Sequence, residues 1–414
     1  MKYIKIFLLM CIFLPMELLS SGGSYYSRFG LGDFYYSYTA RRMGMGELGI
    51  AALDRDYLNN LNPASWSNLR LTRFETGVIY HGTKINSNVS DVFHSQTIFS
   101  GMMIGFPVSI QNGISFVAGI TPYTNVSYEV AEQIDSNVVD EYKLTYQGIG
   151  GISKAFFGLS YKLPFDVSIG SSFDYYNGKV NYSTDMDFES GASFNDVTYN
   201  KEFSYHGIGF TLGIVSNNFA DIIGLEELKE LRLGFSFSSK VDLATDTVSS
   251  SETILGTLKN SSQSYKSNLP FRFGAGLSMN LVNQYQVTLD YLYQPLSEYN
   301  KNGIYSQNIR DFYKVSLGFE YRKARPESQS FWEHVMLRCG LSYEQSQYTF
   351  EGEGINQTSV YAGFSMPLGY DNNIDFGFQY GKRGTLDKNL LNENIYKFSI
   401  SLSIGELWFL REDR

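Results

Sequence analysis

Four histidines, His81, His94, His206 and His334, are the only imidazoles in a chain of 414 residues, and no two stand within four residues of each other. Metal sites usually draw paired imidazoles from such close spacings, so interfacial or lumenal positions are the plainer reading. No Gly-x-Ser-x-Gly run occurs, and an acyl hydrolase of that kind would lack its nucleophile turn. A serine, a histidine and an acid brought together from separate strands is the one catalytic arrangement the sequence leaves open. Gly105-Phe106-Pro107 and Gly148-Ile149-Gly150-Gly151 lack the strand–loop–helix context of a phosphate cradle and read as bends in strands, the second kinking its strand. The chain is therefore expected to be no enzyme and to need no metal and no cofactor.

The more informative charges alternate with apolar residues. Asp166, Asp174, Arg232, Arg272, Asp290, Lys314, Glu320, Arg322, Arg338, Glu344 and Asp375 fall on the polar side of period-2 runs. Two chemistries fit them: a mutually paired network that packs a filling segment, or a receptor for the polar head of an amphipathic ligand. Arg232, Arg272, Asp290, Lys314, Glu320, Arg322 and Arg338 are the chief lumenal candidates. Composition narrows the setting. Charged residues are 18% and aromatic residues 16%, against about 25% charged in soluble domains. The chain is too aromatic for disorder. A net charge of -9 gives no footprint for nucleic acid, and two cysteines make no disulfide scaffold.

The elements that must position these charges are strands. In residues 313–322, Tyr313, Val315, Leu317, Phe319 and Tyr321 share one face, and Lys314, Ser316, Gly318, Glu320 and Arg322 the other. The same alternation marks strands at about 72–82, 92–106, 112–130, 141–163, 165–184, 196–217, 228–240, 264–282, 284–294, 308–323, 334–346, 358–369, 373–383 and 394–405. A soluble sandwich would bury the apolar face, whereas a membrane barrel turns it to lipid. Tyrosines at the ends of the apolar rows, strands of ten residues or more, and turns alternating with longer loops favour the barrel. The longest loop is expected at about 241–263, and Phe219–Leu231 is expected to form a short helical turn on the turn side. The predicted fold is an all-β transmembrane antiparallel barrel of about fourteen strands with an N-terminal plug in its lumen.

Residues 1–22 read as a cleaved export signal, with Lys2 and Lys5 ahead of the apolar run Ile6 to Pro15 and small residues at Ser20 to Gly23. Its ten apolar residues are about half of the roughly 20 that span a bilayer. Its loss removes Lys2, Lys5 and Glu17, so the net charge passes from -9 to -10. Residues 23–71 do not alternate and are rich in Gly and Asn, ending in Asn59-Asn60-Leu61-Asn62-Pro63-Ala64-Ser65-Trp66. The runs YYSRFGLGDF (25–34) and RRMGMGELGIAALDRDYLNNLNPASW (41–66), with YGKRGTLDKNLLNENIYKFSISLSIGELWFLRED (380–413), resemble the two ends of FadL-like outer-membrane proteins in their Bacteroidota-type form.

That resemblance implies an N-terminal hatch, with Asn62, Pro63 and Ala64 as its family element, ahead of a fourteen-stranded barrel at 72–414. It also implies passive uptake of hydrophobic or amphipathic, fatty-acid-like molecules through a loop-end groove and an inner pocket, often leaving sideways through the wall. Ile254-Leu255, Leu258 and Ile304-Tyr305 are the candidates for the groove. The expected location is the outer membrane of a Gram-negative bacterium. The expected partners are the lipid bilayer, a hydrophobic small-molecule ligand and the barrel-assembly machinery during biogenesis, with no nucleic acid. Two other functions are open: a secretion-associated barrel of the type IX kind that handles exported proteins, and a surface structural or adhesive barrel without transport.

Overall fold

The computed structural model describes residues 23–88, 91–134, 141–188, 195–282, 284–301, 304–305, 308–322, 335–350, 352–369 and 371–407. The expected signal at 1–22, His334 and the terminal Trp408-Phe409 lie outside them. Fourteen antiparallel wall strands close on themselves. They are β1 (Thr72–Asn86), β2 (Asp91–Ser109), β3, in two pieces (β3a, Ile114–Pro122; β3b, Thr124–Ile134), β4 (Tyr142–Lys162), β5 (Ser168–Phe188), β6 (Val197–Val215) and β7 (Leu228–Ser238). The second half is β8 (Arg272–Leu281), β9 (Tyr285–Gln294), β10 (Phe312–Tyr321), β11 (Met336–Phe350), β12 (Glu353–Pro367), β13 (Asn373–Gly384) and β14 (Asn392–Glu406). Closure is by β1 on β14, from Thr72↔Glu406 to Asn86↔Asn392. Closure of the first strand on the last removes the two outer edges of the sheet, which is the condition for strands to cross a bilayer.

The alternation sorts the two faces. On β10, Lys314, Ser316 and Glu320 are buried, while Val315, Leu317 and Phe319 are exposed. The same holds around the wall, so the apolar rows form an outward belt, with Tyr80, Tyr291, Tyr343 and Tyr396 exposed toward the loop end and Tyr161 and Tyr285 toward the turn end. No helix of the described residues is long and apolar enough to cross a membrane.

Four expectations are corrected. The stretch expected as a polar loop at 241–263 is a β-hairpin, Val241–Thr253 with Gly256–Leu269, which continues the upper half of β6. Its Val241, Leu243, Thr245, Thr247 and Ser249 are buried and alternate with Asp242, Asp246 and Val248. A run of β-branched and small polar residues kept strand periodicity behind a loop-like composition. The strand expected over 264–282 is accordingly two strands divided at Pro270, and the one over 112–130 is broken at Tyr123. In Phe219–Leu231 only Ala220–Ile223 is helical, ended by Gly224 at φ 71, where glycine takes the left-handed cap without a Cβ penalty.

Residues 23–71 form short capped turns with almost every side chain buried. Ser24 caps Tyr25–Arg28, Thr39 caps Ala40–Gly44 and Asn62 caps Pro63–Asn68, each accepting a backbone N–H. With so little regular structure, this segment satisfies its backbone largely through such caps and through the wall.

Candidate functional site

The N-terminal segment meets the inward wall residues in two chemically different ways. Toward β9 to β14 and β1 the contacts are ionic. Glu320 is the hub: it accepts Arg41 Nε and Nη2, each at 2.9 Å, and Arg338 Nε at 2.6 Å, with Arg322 at 3.3 Å. Arg41 also pairs with Asp54 at 2.6 Å, and Arg322 reaches Asp54 at 3.1 Å and Asp56 at 3.4 Å. Arg338 bridges on to Asp375 at 3.2 Å, and Arg73 to Asp56 at 3.2 Å. Tyr57 lies under the Arg41 guanidinium at 4.2 Å and donates to Asp375 at 3.1 Å. Higher in the lumen Lys314 pairs with Glu47, and Glu344 lies 3.5 Å from it. At the loop end Arg383 binds Asp33 at 2.9 Å and Glu393 at 2.6 Å, and Glu393 accepts the Tyr25 N–H at 2.9 Å.

Burial alone would push the Glu47 and Asp54 carboxyls up, but the cations reverse it. Glu47 lies below its usual range once Lys314 and Lys397 act on it, and Asp54, drawn by Arg322 and Arg41, is held at about 2. Arg42 is the exception. Its guanidinium is buried with no hydrogen-bond partner among the described residues, and burial together with neighbouring Arg41 brings it down to about 10. Close approach is secured by glycine: a Cβ on Gly340 would stand 2.6 Å from the Gly46 nitrogen. Asp290 serves differently, accepting the N–H groups of Gly49 at 2.9 Å and Ile50 at 2.7 Å.

Toward β3 to β8 the contacts are aromatic and aliphatic. Leu31, Phe34, Tyr36, Leu48 and Ile50 pack with Tyr123, Ile152, Tyr176, Phe203 and Tyr205 of the wall and with Val241, Leu243 and Leu269 of the inserted hairpin. The Asn62-Pro63-Ala64 element lies against β5 and β6. Asn62 donates to the Ile50 carbonyl at 2.7 Å and accepts the Ala64 N–H at 3.0 Å, and a Cβ on Gly213 would stand 2.0 Å from its Oδ1.

Two cations sit in this face. Arg272 is buried, 4.7 Å from the Tyr123 ring and 5.3 Å from Phe34, and gives two hydrogen bonds to Gln294 Oε1 at 3.0 and 2.9 Å. No carboxylate stands within ion-pair distance of it among the described residues. Lys154 has only Asp174 at 3.7 Å. Both line a narrow cavity of about 20 Å³ with Tyr35, Tyr123, Tyr176 and Leu292, room for a water and little more.

The third feature is a break in the wall. β2 pairs with β3a from Met102↔Ile120 to Ser109↔Ile114, but β3b has no ladder to β2 among the described residues. Its free edge is taken by the N-terminal segment. Asp33 and Phe34 pair with Asn125 and Thr124, and Gly23 and Ser27 donate to the Ser127 carbonyl at 2.8 and 3.0 Å. Gly150 in β4, at φ 129, lies opposite, so the Gly148–Gly151 stretch marks the level of the break. Beside it at the loop end is a cavity of about 510 Å³, lined largely by Tyr25, Tyr26, Ile85, Val92, Val130, Phe350, Leu390 and Leu391. The residues expected to form the groove are elsewhere: Ile254, Leu255 and Leu258 are exposed at the tip of the inserted hairpin, and the side chains of Ile304 and Tyr305 lie outside the described residues.

The structure thus brings Glu320, Arg322 and Arg338 into one network with Lys314 above them. It sets Asp290 under the Gly49 backbone, isolates Arg272 on the aromatic face, and leaves Arg232 at the turn end, 2.7 Å from Asp166. Arg41, Glu47, Asp54, Asp56, Arg383 and Glu393 were not singled out; the clustered charges Arg41-Arg42 and Asp54-Arg55-Asp56 inside a Gly-rich stretch whose other charges stand singly were the available signal.

A family model described as BamG matches residues 1–413. No curated protein is detectably similar in sequence. Among solved structures, the CymD monoaromatic hydrocarbon channel superposes with a TM-score of 0.58 at 16% identity, over 90% of this chain and 98% of its own. The Ralstonia pickettii toluene transporter TbuX gives 0.57 at 18%, over 90% and 99%. A Pseudomonas aeruginosa FadL homologue gives 0.60 at 12%, over 89% and 98%. At these identities the likeness establishes the fold.

Proposed function

Because this chain belongs to the BamG family and has the FadL-like outer-membrane barrel fold, we propose that it is a non-catalytic outer-membrane barrel that admits hydrophobic or amphipathic small molecules. The N-terminal segment would act as its plug. The observation that carries this reading is the wall break with the apolar cavity of about 510 Å³ beside it. An apolar molecule can settle there from outside without meeting the ion-paired half of the lumen. Farther in, Arg272 and Lys154, set among tyrosines, suit the anionic head of a fatty-acid-like ligand, since a buried cation without a matched carboxylate gains most from an incoming one. Two of the solved structures that share the fold are a monoaromatic hydrocarbon channel and a toluene transporter, which supports the apolar class of cargo.

The cavities beyond the break are narrow, about 20 Å³ on the aromatic side and about 30 Å³ on the charged side. Passage therefore requires the plug to shift. Mass spectrometry of molecules retained through purification from native membranes tests the proposal: a lipid-like ligand in wild type that is lost in Arg272→Met is expected. Empty protein, together with unchanged permeability after deletion of residues 24–60, would sink it.

A second reading is favoured by the closed, ion-paired half of the lumen and by the family's name, which points to barrel assembly: a scaffold barrel that works beside the assembly machinery. Stoichiometric copurification with another barrel, without any small molecule, would select it. Copurification with secretion components would select the secretion-associated role instead.

A further inference from the structure

Two neighbouring turns carry outward apolar rows past the ends of their strands. On β2 the outward series through Ile104 and Phe106 runs on into Val108 and Ile110, 69% and 57% exposed; on β4 the series through Leu159 and Tyr161 runs on into Leu163 and then Phe165, 90% exposed. The turns are joined, Lys162 donating its N–H to the Asn112 carbonyl at 2.9 Å. Phe165 and the next residue, Asp166, both have left-handed backbone, φ 68 and 64, closed by the Leu163 N–H to the Val167 carbonyl at 2.7 Å. A hairpin turn of that shape favours Asn-Gly. A phenylalanine there suffers both an unfavourable backbone and an exposed ring, which water does not offset.

We propose that these turns, 108–113 and 163–167, are an interfacial anchor seated in the turn-side leaflet of the bilayer, with Phe165 and Ile110 at the boundary between headgroups and acyl chains. Two observations commit the occupant to phospholipid. The rows are continuous with the lipid-facing belt, whose turn-side tyrosine, Tyr161, stands only four residues before Phe165. Asp166 is neutralised by two cations, Lys162 and Arg232, the second also 3.8 Å from Glu230, so the second turn sets no unpaired negative charge against the phosphate plane. The next turn along differs: Ile222 and Ile223 there stand among the acids Asp221, Glu226 and Glu227, and the anchor does not include it. Strands β2, β3a and β4 also bound the wall break at their other ends, so an anchor here fixes the height of the break in the opposite leaflet. The inference does not depend on what passes through it.

The test is the depth of a nitroxide label at Phe165→Cys, in a chain carrying Cys11→Ala and Cys339→Ala, reconstituted in vesicles of phosphatidylethanolamine and phosphatidylglycerol. Labels at Leu337, in the lipid-facing belt, and at Glu226, on the acidic turn, serve as references. The ratio of oxygen to aqueous-nickel accessibility at 165 is expected several-fold above that at 226 and close to that at 337. A ratio equal to that at 226 overturns the anchor. Shielding from both reagents also overturns it, in favour of a second copy of the chain covering the turn. Should Phe165→Cys not fold, the same label at Ile110→Cys decides by the same criteria.

Discussion

The two faces of the lumen hold the same N-terminal segment by opposite means. On the β9-to-β1 face, Arg41, Arg322 and Arg338 converge on one carboxylate; on the β3-to-β8 face, rings and aliphatic side chains pack without fixed direction, and the two cations there are under-partnered. Buried ion pairs contribute little over an apolar equivalent, but breaking one leaves an uncompensated charge. The charged face therefore locks the segment in a single position, while the aromatic face tolerates rearrangement. The proposed shift of the plug would need that division: a hinge that stays and a surface that can yield.

The comparison breaks first at its hub. Glu320→Ala removes the carboxylate that Arg41, Arg322 and Arg338 share, leaving Arg41 with Asp54 and Arg338 with Asp375, and should cost about 3 kcal/mol, seen as a large fall in the temperature at which the barrel loses its compact electrophoretic mobility. An unchanged melting temperature would mean that water already solvates the network. A smaller effect is expected where Asn62 meets the wall on the other face. In Gly213→Ala the new Cβ, 2.0 Å from Asn62 Oδ1, should cost about 1–3 kcal/mol by overpacking and raise hydrogen exchange in residues 59–66. If exchange rises equally in residues 40–47, the faces are not separable.

Arg272→Met should sharpen the contrast from the side of function. The cation has no carboxylate to strand, and methionine fills much of its volume, so stability should change by less than about 1.5 kcal/mol. Retention of an amphipathic anion should nevertheless fall markedly against that of a neutral hydrocarbon, read by mass spectrometry. Equal loss of both would assign Arg272 to packing alone.

The wall was legible because a half-buried strand writes its faces at period 2: Lys314, Ser316 and Glu320 alternate with Val315, Leu317 and Phe319, and the lumenal side of Glu320 and Arg338 follows from that alone. Their partners Arg41, Asp54 and Asp56 were not, because a segment of capped turns and glycines has no period from which to read a face. The 241–269 hairpin was hidden by composition, since Thr245, Thr247 and Ser249 bury as small strand residues yet look like loop. The wall break left no mark in the alternation, because β3a and β3b each keep their own. Its signs are local: Pro122, which gives no ladder hydrogen bond, Gly101 at φ 123 and Gly150 at φ 129.

Acid should separate the faces most gently. Burial raises the Asp54 carboxyl, but Arg322 and Arg41 outweigh it and hold it at about 2, below its ordinary 3.8. A depressed pKa contributes stability that is fully present above the unfolded value and lost as pH falls through the folded one. The contribution, on the order of 2 kcal/mol from the size of the shift, should therefore persist down to about pH 4 and disappear toward pH 2. Asp54 lines the turn-end mouth with Arg55, Asp56 and Arg322, so its release frees the charged end of the segment first. The packing of Leu31, Tyr36 and Ile50 on the other face involves no carboxyl. Hydrogen exchange corrected for its intrinsic acid dependence should rise in residues 53–58 between pH 4 and pH 2 while residues 61–66 stay protected. Simultaneous loss in both stretches would show that the segment is held as one cooperative body, and the two faces would then differ in chemistry but not in hold.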